Sequence, residues 1–522
     1  MINLQRAARP WMRVRPADAT KVAPQRRSIH VEVDVRQGET GAAVDGNEGV
    51  GGLRTSFDVG ERGGTRTRPS KGGPCWVEQQ AGTMTDASTL ETMSPGLLKV
   101  VERARMEPEG RFHSLAHLMD VSALKRAYRR MRKDAAVGVD KVTKEQYGQA
   151  LEHNLHDLHE RLVSMRYRHQ PIRRVHIPKE KGKTRPIGIS AFEDKLVQDV
   201  VREVLEAIYE QDFLDCSHGF RPKRSAHDAN RALDPIMHRG RVSWILEADI
   251  VSFFDRLDRT KLKELLQHRV ADGSLLRLIG KCLHVGVLDG GEYSAPEAGT
   301  AQGSVLSPLL GNVYLHYVLD LWFEREVKPR LRGEAHIVRY ADDFVMTFEL
   351  EDDAKRVMDV LGKRMGRFGL TLHPDKTRLL PFRRPPASQT GGKAPATFDF
   401  LGFTLHWQRA RSGRWGMMCK TRQARLRRSI QAISDWCRSH RHQPVKAQHA
   451  ALTRRIRGHC NYFGVSGNSR SLQLFVEEAK KAWYKWLRRR SQQAHLTWEG
   501  FRMLLTRLPL PKPRISVRIW GP

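Results

Sequence analysis

Two short runs rich in β-branched and aromatic residues, Ile337–Tyr340 and Phe344–Phe348, flank Ala341-Asp342-Asp343. Their composition predicts two strands joined by a turn that carries two adjacent carboxylates. Upstream, Trp244 to Ile250 is a third strand-like run, ending in acids and leading into Ser252-Phe253-Phe254-Asp255. Elsewhere the period is helical. Leu118, Val121, Leu124, Tyr128 and Met131 fall on one helix face, with Lys125, Arg129, Arg130 and Arg132 around it. Leu472, Phe475, Ala479, Trp483 and Trp486–Leu487 form a second stripe, read as core packing and followed by Arg488, Arg489 and Arg490. Arg383 to Pro395 reads as a polar loop. Residues 1–85 are rich in Arg, Gly, Thr and Pro without apolar periodicity, which predicts a disordered basic leader.

Charge narrows the choice of partner. Among 522 residues, 90 Lys and Arg stand against 58 Asp and Glu, a net charge of +32 with pI ≈ 10.3. A chain so basic calls for a polyanion, and nucleic acid is the leading candidate. The length allows about three to four domains. No apolar run approaches the roughly 18–20 residues that span a bilayer, so a soluble protein with no membrane partner is expected. Six cysteines (75, 216, 282, 419, 437 and 460) form no C-x-x-C pair, which speaks against structural zinc and fits a reducing, cytoplasmic setting. Arg6, Arg9, Arg13 and Arg15 leave organellar targeting as the alternative.

The acids carry the chemistry. Carboxylates side by side at a hairpin tip repel each other, and a cation between them relieves the cost. Hard oxygen ligands of this kind suit Mg²⁺. A polar turn is the competing reading for Asp342-Asp343, and helix capping for Asp249.

Joined together, Asp249 and Tyr340–Asp343 resemble the palm of a reverse transcriptase, with an Asp on one strand beside an Asp-Asp hairpin. The resemblance continues in order along roughly residues 90 to 515. Ala136 to Asp140 is similar to the pre-palm motif, Lys181 to Ile189 (KGKTRPIGI) to the fingers segment, and Ser217 to Ala229 (SHGFRPKRSAHDA) to the following block of group II intron enzymes. Gly299 to Pro308 (GTAQGSVLSP) resembles their primer-grip and nucleotide-pocket loop, where Ala301 stands in place of the usual Pro. Gly369-Leu370 with His373 to Thr377, and Phe398 to Phe403, match the last two palm blocks. Arg457 to Asn468 (RGHCNYFGVSGN) looks like the start of the maturase domain. The chain thus resembles a bacterial-type group II intron reverse transcriptase–maturase. With no Cys after Cys460, the cysteine-stapled endonuclease domain of many relatives is not expected.

The resemblance implies an α+β right-hand polymerase: a disordered leader (1–85), a helical RNA-binding extension (86–165), fingers and palm with antiparallel sheet (166–405), an α-helical thumb or maturase domain (406–505) and a short basic tail (506–522). It implies two Mg²⁺ ions held by Asp249, Asp342, Asp343 and the carbonyl of Ile250. Arg185, Phe254, Gln302, Gly303 and Lys376 would bind the nucleotide: Arg185 on the triphosphate, Phe254 against the sugar, Gln302 and Gly303 lining the pocket. Lys376 would either donate a proton to the leaving pyrophosphate or act as a fixed charge. Phe253 and Phe254, read as strand residues, would point to opposite faces. Lys125, Arg129, Arg130, Arg132, Tyr462 and Arg488 to Arg490 are candidates for RNA contact, with an exposed basic face or a core aromatic as the alternatives. Intron RNA, RNA template, DNA primer, target DNA and deoxynucleotides are the implied partners. A CRISPR-associated or otherwise domesticated reverse transcriptase, and a non-catalytic splicing chaperone on the same scaffold, remain the rival functions.

Overall fold

The computed structural model describes residues 93–178, 184–295, 298–300, 302–386, 396–409, 413–491 and 495–519. The leader, Lys181-Gly182-Lys183, Ala301, residues 387–395 of the polar loop and Trp520 lie outside the described residues.

Local capping chemistry sets the first helices. Asp120 accepts from the Ala123 N–H at 2.7 Å and so fixes the start of the helix Val121–Arg130. The helical face expected from Leu118 to Met131 is therefore shorter, and Ala116–Leu118 forms a separate 3₁₀ turn. The long helix Phe192–Asp212 buries most of its length at the centre of the first core.

Three sheets follow. In the first, β1 (Ile172–Pro178) pairs antiparallel with β2 (Thr184–Ile189) and extends through β4 (Val287–Asp289) to β5 (Glu292–Ser294). The β1–β4 pairing is parallel, a departure from the purely antiparallel expectation confined to the end of β1. The second sheet has the order β6-β7-β3-β8, with β3 Trp244–Asp249, β6 Ala335–Tyr340, β7 Asp343–Phe348 and β8 Arg378–Pro381, all antiparallel. The third runs β11-β10-β9, with β9 Thr397–Phe400, β10 Phe403–Arg409 and β11 Trp415–Thr421.

Strand alternation explains how the second sheet is held. On one face Leu246, Ala248, Ile337, Phe344 and Met346 enter the core built by the N-terminal half of the chain. On the other, Ile245, Val338 and Val345 join a second core with Phe398, Phe400 and Phe403 of the third sheet and the C-terminal helices. Helices Gln423–Ser439, Val445–Phe463, Ser469–Arg488 and Trp498–Arg507 complete that second core. The apolar stripe of Ser469–Arg488 is buried at Leu472, Phe475, Ala479, Trp483 and Leu487. A sheet covered on both faces leaves only its ends for solvent, and the acids sit at one end. Among the described residues no helix is long and apolar enough to cross a membrane.

Candidate active site

Register brings the acids together. Asp249, the last residue of β3, pairs directly with Asp343, the first residue of β7. The β6–β7 turn is one residue shorter than its composition suggests: Tyr340 pairs with Asp343, so Ala341 and Asp342 alone form the turn, and Ala341 takes a left-handed conformation at φ 57°. Asp249 does not cap the helix that follows. Ser252 is the N-cap residue of Phe253–Arg256, and the Asp249 carboxylate is engaged by the Lys376 ammonium.

The carboxylates strain one another. Burial, then the Asp342 and Asp249 charges, push the Asp343 carboxyl up to about 7. Asp342 is likewise raised, chiefly by burial and by Asp249, while Arg185 and Lys376 pull it back. Arg185 on β2 therefore acts across the gap between the first sheet and the hairpin tip. Among the described residues no group of three His, Cys, Asp or Glu side chains is drawn into a ligand set. The donor chemistry still fits a hard divalent cation: three carboxylates at one sheet end, two of them with raised pKa, gain most from added positive charge.

A loop closes the other side. Phe253 is buried and Phe254 half-buried, their rings edge to face at 5.1 Å. They lie on a four-residue helix rather than a strand, so helix geometry, not alternation, separates them. Thr300 donates its N–H to the Phe254 carbonyl at 2.7 Å, and the Gln302 side chain donates to Asp255 at 3.3 Å. The Gly188 N–H of β2 donates to the Gln302 carbonyl at 2.6 Å. Gly303, at φ 107°, lies so near that strand that a Cβ would meet the Gly188 oxygen at 2.6 Å. Gln198 on the long central helix accepts from Ser304 Oγ at 3.0 Å and from the Val305 N–H at 3.2 Å. Arg185, Phe254, Gln302, Gly303, Lys376 and the three aspartates thus belong to one neighbourhood. The Ile250 side chain is buried beneath it.

The family model for reverse transcriptase (RNA-dependent DNA polymerase) matches residues 177–405, the segment that holds every one of these groups. Protein YkfC of Escherichia coli is 33% identical over 314 residues, covering 53% of this chain and 77% of that protein. The group II intron-encoded protein LtrA of Lactococcus lactis is 39% identical over 209 residues, 38% of this chain and 35% of LtrA. The chain belongs to the group II intron reverse transcriptase–maturase family. A cob intron protein of Schizosaccharomyces pombe is 42% identical over 163 residues, covering 31% of this chain and 20% of that protein. The reverse transcriptase spans most of YkfC but only about a third of LtrA.

The RNA-contact candidates lie elsewhere and differ in their surroundings. Lys125 pairs with Glu152, and Arg132 with Asp134 at 2.6 Å. Arg130 is held by Asp199 at 2.7 Å and Glu203 at 3.2 Å against the central helix, whereas Arg129 is exposed. Tyr462 is half-buried, stacked at 5.7 Å on Phe403, and donates its hydroxyl to the Leu401 carbonyl at 2.9 Å. Arg488 and Arg489 are exposed, Arg489 lying over the Trp486 ring at 5.7 Å. Arg490 donates to the His442 and Gln443 carbonyls, both at 3.0 Å.

Two charged residues within the strands escape a reading based on periodicity. Glu247 on β3 is buried and pairs with Arg378 across the β3–β8 ladder. Arg339 on β6 is fully buried and pairs with Asp320. A charge inside an otherwise apolar strand demands a partner, and that signal was legible at Arg339 as it was at Asp249.

Proposed function

We propose that this reverse transcriptase is an RNA-directed DNA polymerase that also binds an intron RNA and assists its splicing and mobility. The observation that carries the reading is the meeting of Asp249, Asp342 and Asp343 at one sheet end, with the Arg185 and Lys376 charges acting on them. In this reading the first sheet belongs to the fingers, the second is the palm, and the helices from Gln423 to Arg507 form the thumb.

Asp249 and Asp342, with the Ile250 carbonyl, would hold two Mg²⁺ ions, and Asp343 would support them. Bound there, the ions would stabilise the attacking 3′-oxygen and the leaving pyrophosphate oxygen of an in-line phosphoryl transfer. The protein's own groups do the rest. Arg185 presents a planar fork of donors to the triphosphate. Phe254 lies against the sugar and excludes a 2′-hydroxyl. The Gln302 carbonyl and Gly303 fasten the pocket loop to β2, so loop and strand hold the templated pair together. Lys376, on Asp249, acts as a fixed positive charge; donating a proton to pyrophosphate requires it to leave that carboxylate.

The same surface that makes the chain so basic would bind the intron RNA, with Arg129, Arg488 and Arg489 presented to solvent. Primer extension on an RNA template tests the polymerase reading, and salt-dependent binding of the intron RNA tests the second role. Tight RNA binding without extension would leave a splicing chaperone on a reverse-transcriptase scaffold.

A further inference from the structure

The SHGFRP segment and Arg339 have no part in the chemistry above, yet they meet directly behind the acidic turn. Arg339 is the fifth residue of β6, fully buried, and all five of its N–H donors have acceptors. Nε and Nη2 donate to the two Asp320 oxygens at 2.8 and 2.6 Å. Nη2 also donates to Ser217 Oγ at 2.8 Å, and Nη1 to Asn312 Oδ1 at 3.0 Å. The remaining donor goes to the Ala341 carbonyl at 3.0 Å, the peptide that precedes Asp342.

The backbone repeats the connection. Arg339 donates its N–H to the Cys216 carbonyl and accepts from the His218 N–H, both at 2.8 Å, so Ser217 pairs with Arg339 as an extra parallel bridge. Asn312 donates to the Gly219 carbonyl at 2.6 Å. Gly219 itself lies against the turn: a Cβ there would meet the Ala341 nitrogen at 2.3 Å and the Tyr340 carbonyl carbon at 2.9 Å. Asp320 reaches Arg339 from a π-helical stretch, His316–Asp320, an irregularity often found at functional sites.

We infer that Arg339, Asp320 and the Ser217–Gly219 segment form a positioning device that fixes the left-handed Ala341 peptide and thereby aims Asp342 and Asp343. A buried ion pair is a weak source of stability, since desolvation offsets its attraction. A guanidinium with five used donors is, however, a rigid template. Here one of its donors grips the peptide whose φ of 57° an alanine adopts only under constraint. The inference rests on the polymerase reading of the aspartates and adds residues that touch neither substrate nor metal.

The experiment is steady-state primer extension by the full chain over a Mg²⁺ titration, comparing wild type with Arg339→Lys and Gly219→Ala. Lysine keeps the charge but not the fork, and the added methyl of Gly219→Ala pushes the turn without altering any charge. Gly280→Ala, a helical glycine with open space at its Cβ, controls for the substitution type. Thermal melts establish that each variant is folded, and if Arg339→Lys is not, Gly219→Ala decides alone. The expected result is a fall in kcat of about 10- to 100-fold with a higher half-saturating Mg²⁺ concentration and an unchanged KM for primer–template. Folded variants that match wild type in kcat and Mg²⁺ dependence overturn the inference. A wild-type protein that extends no primer overturns the polymerase reading and this inference together.

Discussion

Asp249 and Asp343 stand directly opposite each other across β3 and β7, with the Lys376 ammonium paired to Asp249. The pairing sets two carboxylates on opposing residues of a sheet whose faces are both covered. Such an arrangement is a stability liability that makes sense as a cation site.

Asp343→Asn removes one of those charges at constant shape. Because burial and the neighbouring acids raise the Asp343 carboxyl to about 7, the ionised form is disfavoured in the folded protein. In EDTA at pH 8 the variant is therefore expected to melt a few degrees above wild type while losing extension, a trade of function for stability. A melting scan beside a primer-extension assay reads both.

Mg²⁺ should reverse that order. A cation that binds the folded chain alone raises Tm by mass action, so millimolar Mg²⁺ should stabilise wild type and leave Asp342→Ala/Asp343→Ala unmoved. Equal shifts in both proteins would place the stabilising ion elsewhere.

In the polymerase reading, Phe254 would set sugar choice. Replacing it with Ala opens space beside the nucleotide, and discrimination against ribonucleotides should fall by about 10- to 200-fold, the range of a single steric contact. Competing dNTP and NTP incorporation on one template measures the ratio. Unaltered discrimination would return Phe254 to the core.

Asp194 gives the pH dependence. It accepts from Tyr167 at 2.5 Å and sits 3.3 Å from His169, and burial raises its pKa to about 7 while lowering that of His169 to about 4. The raised Asp194 contributes stability that is complete below the ordinary carboxylate range and is lost as pH climbs to about 7. The lowered His169 contributes above the ordinary histidine range and loses that contribution as pH falls toward about 4. Asp194→Asn keeps a neutral partner at every pH. Between pH 5 and 8, urea titrations should show wild type losing roughly 1–3 kcal/mol relative to the variant.

Arg488→Ala/Arg489→Ala tests the RNA surface. Each phosphate contact contributes about 0.7–0.9 to the log–log salt slope, so the double variant should weaken intron RNA binding and flatten the slope by about 1–2. Tyr462→Phe, whose hydroxyl serves Leu401, should leave the slope alone.

The sequence made most of the site legible because its signals are local. Strand composition around Asp249 and Asp342-Asp343 located the carboxylates, and the helical stripe from Leu472 located the C-terminal core. What escaped depends on tertiary partners. The turn proved to be two residues because pairing, not composition, assigns Asp343 to β7. Phe253 and Phe254 fell on a short helix where alternation does not apply. Arg130 looked like a free cation on a basic face, yet Asp199 and Glu203 lie 69 and 73 residues away in sequence and hold it. The partners of Arg339, not its charge, were hidden for the same reason: Asn312 and Asp320 reach it from one continuous helical run and Ser217 from another segment.

The most direct test is primer extension on an RNA template with deoxynucleotides and Mg²⁺, wild type against Asp342→Ala/Asp343→Ala. Wild type should synthesise DNA and the double variant should not, with both binding primer–template alike. Equal synthesis by the two proteins, or none by wild type under conditions where it binds RNA, would contradict the assignment of these aspartates as a polymerase centre.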